Sequence, residues 1–152
     1  MTAQAIFKNF PSIAFQPGKN FMWSPKKQVI YYDELAIESR EGIMALLHEI
    51  GHAKLGHQTF EMDIELITME TQAWEEAKSL ANKLGVELDE NHIQNCLEGY
   101  RIWIYKRSRC PSCSNTSLQE SSRSYRCFNC GASWQVAQNR TLQPRRMNCV
   151  NL

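Results

Sequence analysis

Between Arg40 and Gly56 the apolar residues Ile43, Met44, Leu46, Leu47, Ile50, Ala53 and Leu55 recur at helical spacing and occupy most of the circumference. That is the pattern of a helix sunk in a core, not one lying on a surface. Ser39 is placed to cap its start and Gly56 to end it. Upstream the period shortens. Ser12 to Phe15, Phe21 to Trp23 and Gln28 to Tyr32 are brief runs of β-forming residues, separated by Pro17-Gly18 and by Ser24-Pro25-Lys26-Lys27. They predict a short antiparallel sheet that enters the helix through Asp33 to Arg40. Downstream, Ala73, Ala77, Leu80 and Leu84 form a second helical stripe that stops at Gly85. A third helix is expected from an Asp89 cap to about Lys106, with Ile93, Cys96, Leu97, Tyr100, Trp103 and Ile104 turned inward. The fold class is therefore α+β.

The pattern breaks near Ser108, where Ser, Arg, Asn and Cys take over. Charge divides at almost the same place. Residues 1–100 carry 8 Lys and Arg against 15 Asp and Glu, a net −7, whereas residues 101–152 carry 9 against 1, a net +8. A chain of 152 residues, 43% hydrophobic, is long enough for one modest domain and a small module. The expected division is 1–107 for the domain, 108–136 for the module and 137–152 for a basic tail. No stretch approaches the ~18 apolar residues of a membrane span, and the first ten residues lack a secretory apolar segment. A cytoplasmic protein without a membrane partner is the expectation.

Chemistry enters at His48-Glu49-Ile50-Gly51-His52, an H-E-x-x-H motif inside the first helix. Imidazoles four positions apart lie about 40° apart around a helix axis, so both can reach one Zn²⁺. A buried helix does not spend positions on two imidazoles and a carboxylate unless they have a partner. Such a metal needs a further protein ligand and keeps a position open for water, with Glu49 as the base that takes the water's proton. Glu70 continues the Ala73 stripe one turn earlier and points inward, whereas Glu75 lies opposite and Glu76 is roughly 80° away. Glu70 is thus the expected third ligand. His57, just past Gly56, competes with it but would point away from the metal if the helix continued, which makes it a neighbour of the ligands or a surface residue. Gln28, Val29, Ile30, Tyr31 and Tyr32 could align a peptide as an added strand, or be an ordinary strand with a core face and a surface face. Tyr100 and His92 are the nearby candidates for polarising a scissile carbonyl.

The second signal is Cys110-Pro111-Ser112-Cys113 and Cys127-Phe128-Asn129-Cys130, two tight knuckles whose four thiolates suffice for a closed structural zinc site. The segment holds few apolar residues, mainly Leu118, Tyr125, Phe128, Trp134 and Val136, so metal would supply most of its folding energy. Paired C-x-x-C knuckles suit metal in a reducing compartment better than disulfides. Arg107, Arg109, Arg123, Arg126, Arg140, Arg145 and Arg146, interleaved with aromatics, could meet nucleic acid or a protein partner, or face solvent.

His48 to His57, followed by Glu70-Thr71-Gln72-Ala73-Trp74 and Ala77 to Gly85, resembles the glutamate-zincin metallopeptidases, of the ImmA/IrrE type and the minigluzincins. The resemblance covers about residues 28 to 85. It implies a small zincin-like domain in which Glu70 is the third zinc ligand, and a regulatory endopeptidase acting on a specific protein or peptide. Trp74 departs from the pattern, standing where those families often carry an Asp or Asn that bonds a zinc histidine. Some minigluzincins are held latent by a C-terminal segment, which draws attention to Cys149 in the tail. The ribbon ending Tyr125-Arg126-Cys127-Phe128-Asn129-Cys130-Gly131 also resembles that of the SprT-like proteases, which act on proteins attached to DNA but use a third histidine. A third reading is a nucleic-acid-binding zinc-ribbon protein whose zincin half is latent.

Overall fold

Thr2 caps a short helix, α1 (Ala3–Asn9), its hydroxyl accepting from the Ala5 backbone N–H. Helical spacing of Ala3, Ile6 and Phe7 after a capping Thr, with Pro11 as a stop, is the signal in the sequence for this element. The computed structural model describes residues 1–137, and those residues form an α+β arrangement of four helices and two three-stranded sheets. Arg140, Arg145, Arg146 and Cys149, singled out in the tail, lie outside the described residues.

The first sheet contains β1 (Ala14–Gly18), β2 (Met22–Ser24) and β3 (Val29–Asp33) in the order β1-β3-β2. It is mixed, not antiparallel as expected: β2 pairs antiparallel with β3, but β1 pairs parallel with it. The reason lies in the residues. Val29 and Ile30 are buried and take the centre, while Pro17, which has no N–H to donate, confines β1 to an edge. Ile30 shares its face with Phe15 and Trp23, and Phe7 of α1 stacks on Phe15 with ring centroids 4.4 Å apart. The same order corrects the expected peptide cradle. Val29, Ile30 and Tyr31 are paired on both sides and so offer no open edge, Tyr32 is paired with Pro17 on the β1 side, and Gln28 lies in the preceding turn at φ 55°.

Helix α2 (Arg40–Lys54) begins under the Ser39 cap, whose hydroxyl accepts from the Gly42 N–H at 2.9 Å. Ile43, Met44, Leu46, Leu47 and Ile50 are all buried. Gly56, at φ 65°, then turns the chain back on itself. Helix α3 (Asp63–Leu84) follows, and α4 (Glu90–Ser108) succeeds a left-handed Gly85. Ile93, Cys96, Leu97 and Tyr100 of α4 are buried. The second sheet, β4 (Leu118–Ser121), β5 (Ser124–Arg126) and β6 (Ser133–Gln135), is an antiparallel meander.

The chain divides into two compact units. One comprises Met1–Gln58 with Met69–Glu90, the other Thr59–Thr68 with the described residues from Asn91 onward. Within the second, Asp63 is almost fully buried and gathers three hydrogen bonds. It receives Arg107 Nε at 2.7 Å and Nη2 at 3.3 Å, and the Tyr125 hydroxyl at 2.6 Å. Burial and the neighbouring Asp63 carboxylate raise the Tyr125 phenol well above its ordinary pKa. Trp134 stacks on Tyr125 and donates to the Arg107 carbonyl, so the second sheet is pinned to the end of α4 by named polar bonds. None of the helices in the described residues is long and apolar enough to cross a membrane.

Candidate metal centres

In the first unit, α2 and α3 approach so closely that their backbones touch at one place. A Cβ added to Gly51 would stand 2.5 Å from the Ala73 carbonyl oxygen. Gly51 therefore serves the packing of α2 against α3. The close approach sets Glu70, one turn before Ala73, opposite His48 and His52. His48 Nε2 lies 3.0 Å from Glu70 Oε2, His52 Nε2 lies 3.5 Å from Glu70 Oε1, and the two Nε2 atoms are 3.0 Å apart. All three side chains are buried, between 3% and 6% exposed.

These atoms fit a metal. With Zn–N and Zn–O bonds of about 2.0–2.1 Å, tetrahedral ligands stand about 3.3 Å from one another, and the three spacings scatter around that value. Their protonation agrees. Burial lowers the pKa of His48, against the opposing pull of Glu70, and favours the neutral imidazole that a metal requires. Burial pushes Glu70 the other way, but the hydrogen bonds from His48 and His52 outweigh it and hold the carboxyl well below its usual range. A carboxylate and two neutral imidazoles aimed at one buried point are costly without a cation between them.

Around the ligands, Glu49 is 2% exposed and its Oε2 accepts from the Trp23 backbone N–H at 2.6 Å. Trp23 lies in the edge strand β2, so a main-chain donor on the sheet's open side reaches the residue expected to act as base. The Trp23 indole donates to the His57 carbonyl at 3.0 Å. His57 is not turned to solvent. Its Nδ1 meets His52 Nδ1 at 2.8 Å and its Nε2 meets Gln72 Oε1 at 3.3 Å, with burial lowering its pKa. Trp74 places its ring 4.3 Å from that of His48, whose buried Nδ1 has no hydrogen-bond partner. Trp23 and Gln72 had no signal in the one-dimensional pattern, because strand order and the turn at Gly56 bring them here.

In the second unit the four cysteines converge. Cys110 and Cys130 sulfurs are 3.6 Å apart and those of Cys113 and Cys127 3.5 Å, near the ~3.8 Å between tetrahedral thiolates at a Zn–S distance of about 2.3 Å. The two knuckles repeat one backbone pattern. Ser114 N–H donates to the Cys110 carbonyl and Gly131 N–H to the Cys127 carbonyl, each at 2.9 Å, while Cys110 and Cys127 N–H donate to Asn115 and Ala132. Thiolate character is already favoured: the Ser117 hydroxyl, with the backbone N–H groups of Cys130 and Asn129, draws Cys127 down to about 6. The Ala132 N–H favours the Cys130 thiolate too, but the crowding sulfurs of Cys110 and Cys113 outweigh it and push that thiol up to about 12. Four thiols this close do not all lose their protons unless a cation holds the charge.

Arg123 and Arg126 are at the surface, and Arg126 stands 3.6 Å from Glu120. Arg107, in contrast, is committed to Asp63 and not to a partner's phosphates. Tyr100 is buried and His92 half-buried on α4, in the second unit.

Compared with protein-family models, with curated proteins and with solved structures, the chain matches none.

Proposed function

We propose that the first unit is a zinc-dependent endopeptidase site acting on a protein or peptide partner, and that the four-cysteine module is a structural zinc ribbon. The observation that carries the reading is the buried convergence of His48, His52 and Glu70 beside a Glu49 fixed by the Trp23 N–H. His48, His52 and Glu70 would hold the zinc, and Cys110, Cys113, Cys127 and Cys130 the structural one. When bound, catalytic zinc supplies Lewis acidity and a water whose pKa is about 7.

Glu49 is not among the ligands. It takes a proton from the water attacking the peptide carbonyl and passes it to the departing amine nitrogen, so the carboxylate ends as it began. The Trp23 N–H fixes one of its oxygens and so holds the carboxylate in place for this exchange. The glutamate ligand favours this reading over a SprT-like one, for which a third histidine would be expected.

Zinc-loaded protein incubated with a mixed peptide library is expected to produce new termini detected by mass spectrometry. Glu49→Gln should produce none while keeping its metal. Equal product sets from the two proteins would sink the peptidase reading.

A further inference from the structure

A histidine that binds metal through Nε2 must carry its proton on Nδ1, and usually donates it to a carboxylate, a backbone carbonyl or water. In this molecule the partner of His52 Nδ1 is another imidazole, that of His57, at 2.8 Å. Two nitrogens at that distance share one proton, so one ring must accept. If His52 donates, His57 Nδ1 is unprotonated and the His57 proton lies on Nε2. Gln72 meets that nitrogen with its carbonyl oxygen, which can only accept, at 3.3 Å. The three side chains therefore form a chain of hydrogen bonds with one consistent polarity, running from His52 through His57 to Gln72.

The backbone holds His57 in this role. Gly56, at φ 65°, reverses the chain, the His57 N–H donates to the His52 carbonyl at 3.0 Å, and the Trp23 indole secures the His57 carbonyl. His48 has no counterpart, since its Nδ1 is buried without a partner and Trp74 lies against its ring.

We infer that His57 is a positioning residue that selects the metal-binding tautomer and ring orientation of His52, with Gln72 fixing its own proton. This rests on the reading of His48, His52 and Glu70 as a metal site.

The test measures zinc affinity at that site by chelator competition in the full chain, with the helical circular dichroism signal as the check that each variant is folded. His57→Leu removes the acceptor, whereas His57→Asn places an amide oxygen where Nδ1 was. His57→Leu is expected to weaken zinc binding about 10- to 100-fold, and His57→Asn to restore most of it. Nitrogen-15 histidine spectra of the zinc-loaded wild-type protein should show His52 protonated on Nδ1 and His57 on Nε2, a readout that needs no variant to fold. Wild-type affinity in His57→Leu, no recovery in His57→Asn, or a His57 proton on Nδ1 would each overturn the proposal. Wild-type protein whose zinc is confined to the cysteines would instead overturn the metal reading, and this inference with it.

Discussion

The two candidate centres of this chain are built by opposite strategies. His48, His52 and Glu70 come from two helices that an apolar core holds together, and all three are buried. The four cysteines come from two turns, one before β4 and one between β5 and β6, with Cys130 and Phe128 exposed. In the first case the helix that carries the histidines is itself anchored by the buried Leu46, Leu47 and Ile50, so the apolar core preorganises the side chains that would hold an ion. In the second, which has few apolar residues, an ion held by the four cysteines would itself be the centre of the fold. A metal site on a core is poised for chemistry, whereas a metal site without one is occupied in holding chain segments together.

The largest effect expected breaks that comparison most directly. Cys127→Ser should cost the module its metal and its fold together, because structural zinc contributes on the order of 10 kcal/mol to such segments. His48→Ala or Glu70→Ala should lose the other metal while leaving the helical signal in circular dichroism unchanged, the apolar contacts of α2 being intact. A mild chelator should discriminate between the sites of wild-type protein, stripping the mixed His/Glu site, where one ligand position would be left to water, before the closed thiolate site. Zinc counts per chain, taken through a chelator titration, check all three. If His48→Ala unfolds the helices while Cys127→Ser leaves the module folded, the contrast is backwards.

The next effect sharpens the claim that the module also leans on polar bonds. Asp63→Ala would leave the Arg107 guanidinium and the Tyr125 hydroxyl without their shared acceptor. Breaking a buried ion pair costs about 3–5 kcal/mol, and the 16% exposure of the Arg107 side chain places the expected loss near the lower end. Chemical denaturation should show it as a lowered midpoint, and zinc should leave the cysteines more readily.

On the helical side, Gly51→Ala tests whether packing sets the ligand geometry. The added methyl meets the Ala73 carbonyl at 2.5 Å, so the two backbones must part. Overpacking of this kind costs about 1–3 kcal/mol. Because Glu70 lies one turn from Ala73, zinc affinity at the His/Glu site should fall as well, with the four-cysteine site unaffected. Stability lost without any loss of affinity would separate packing from ligand placement.

How far each centre was legible in the sequence follows from the same contrast. The knuckles are local, and spacing alone marks them, since Cys110 and Cys113, or Cys127 and Cys130, need only one turn to converge. His48 and His52 are legible for a similar reason, being one helical turn apart. Glu70 could be chosen by the phase of the Ala73 stripe, because a helix carries its period over many residues. The sheet was harder. Strand positions could be read from composition, but β3 lies between β1 and β2 because of what Ile30 buries, which no local pattern records. The strand order therefore went unseen, and with it the Trp23 contact to Glu49 and the closed edges of Val29 to Tyr31. The surface alternative for His57 fails for a related reason: extending the helix points it away, and only the reversal at Gly56 brings it back.

The smallest effect expected separates the two knuckles themselves. They share one hydrogen-bond pattern, but the left-handed position is Gly131 in one, at φ 75°, and Ser114 in the other, at φ 64°. A side chain in that conformation costs roughly 1–2 kcal/mol, and glycine returns about 0.5–1 kcal/mol of it through the greater freedom of its unfolded chain. Ser114→Gly should therefore stabilise the module by about 0.8 kcal/mol, the difference between the midpoints of those two ranges. Because folding and zinc binding are coupled here, the gain should appear as about a fourfold rise in zinc affinity at the four cysteines. Gly131→Ser should lose a similar amount. If Ser114→Gly weakens binding instead, the Ser114 side chain makes a stabilising contact that outweighs its backbone strain, and the two knuckles are alike in hydrogen bonding but not in energy.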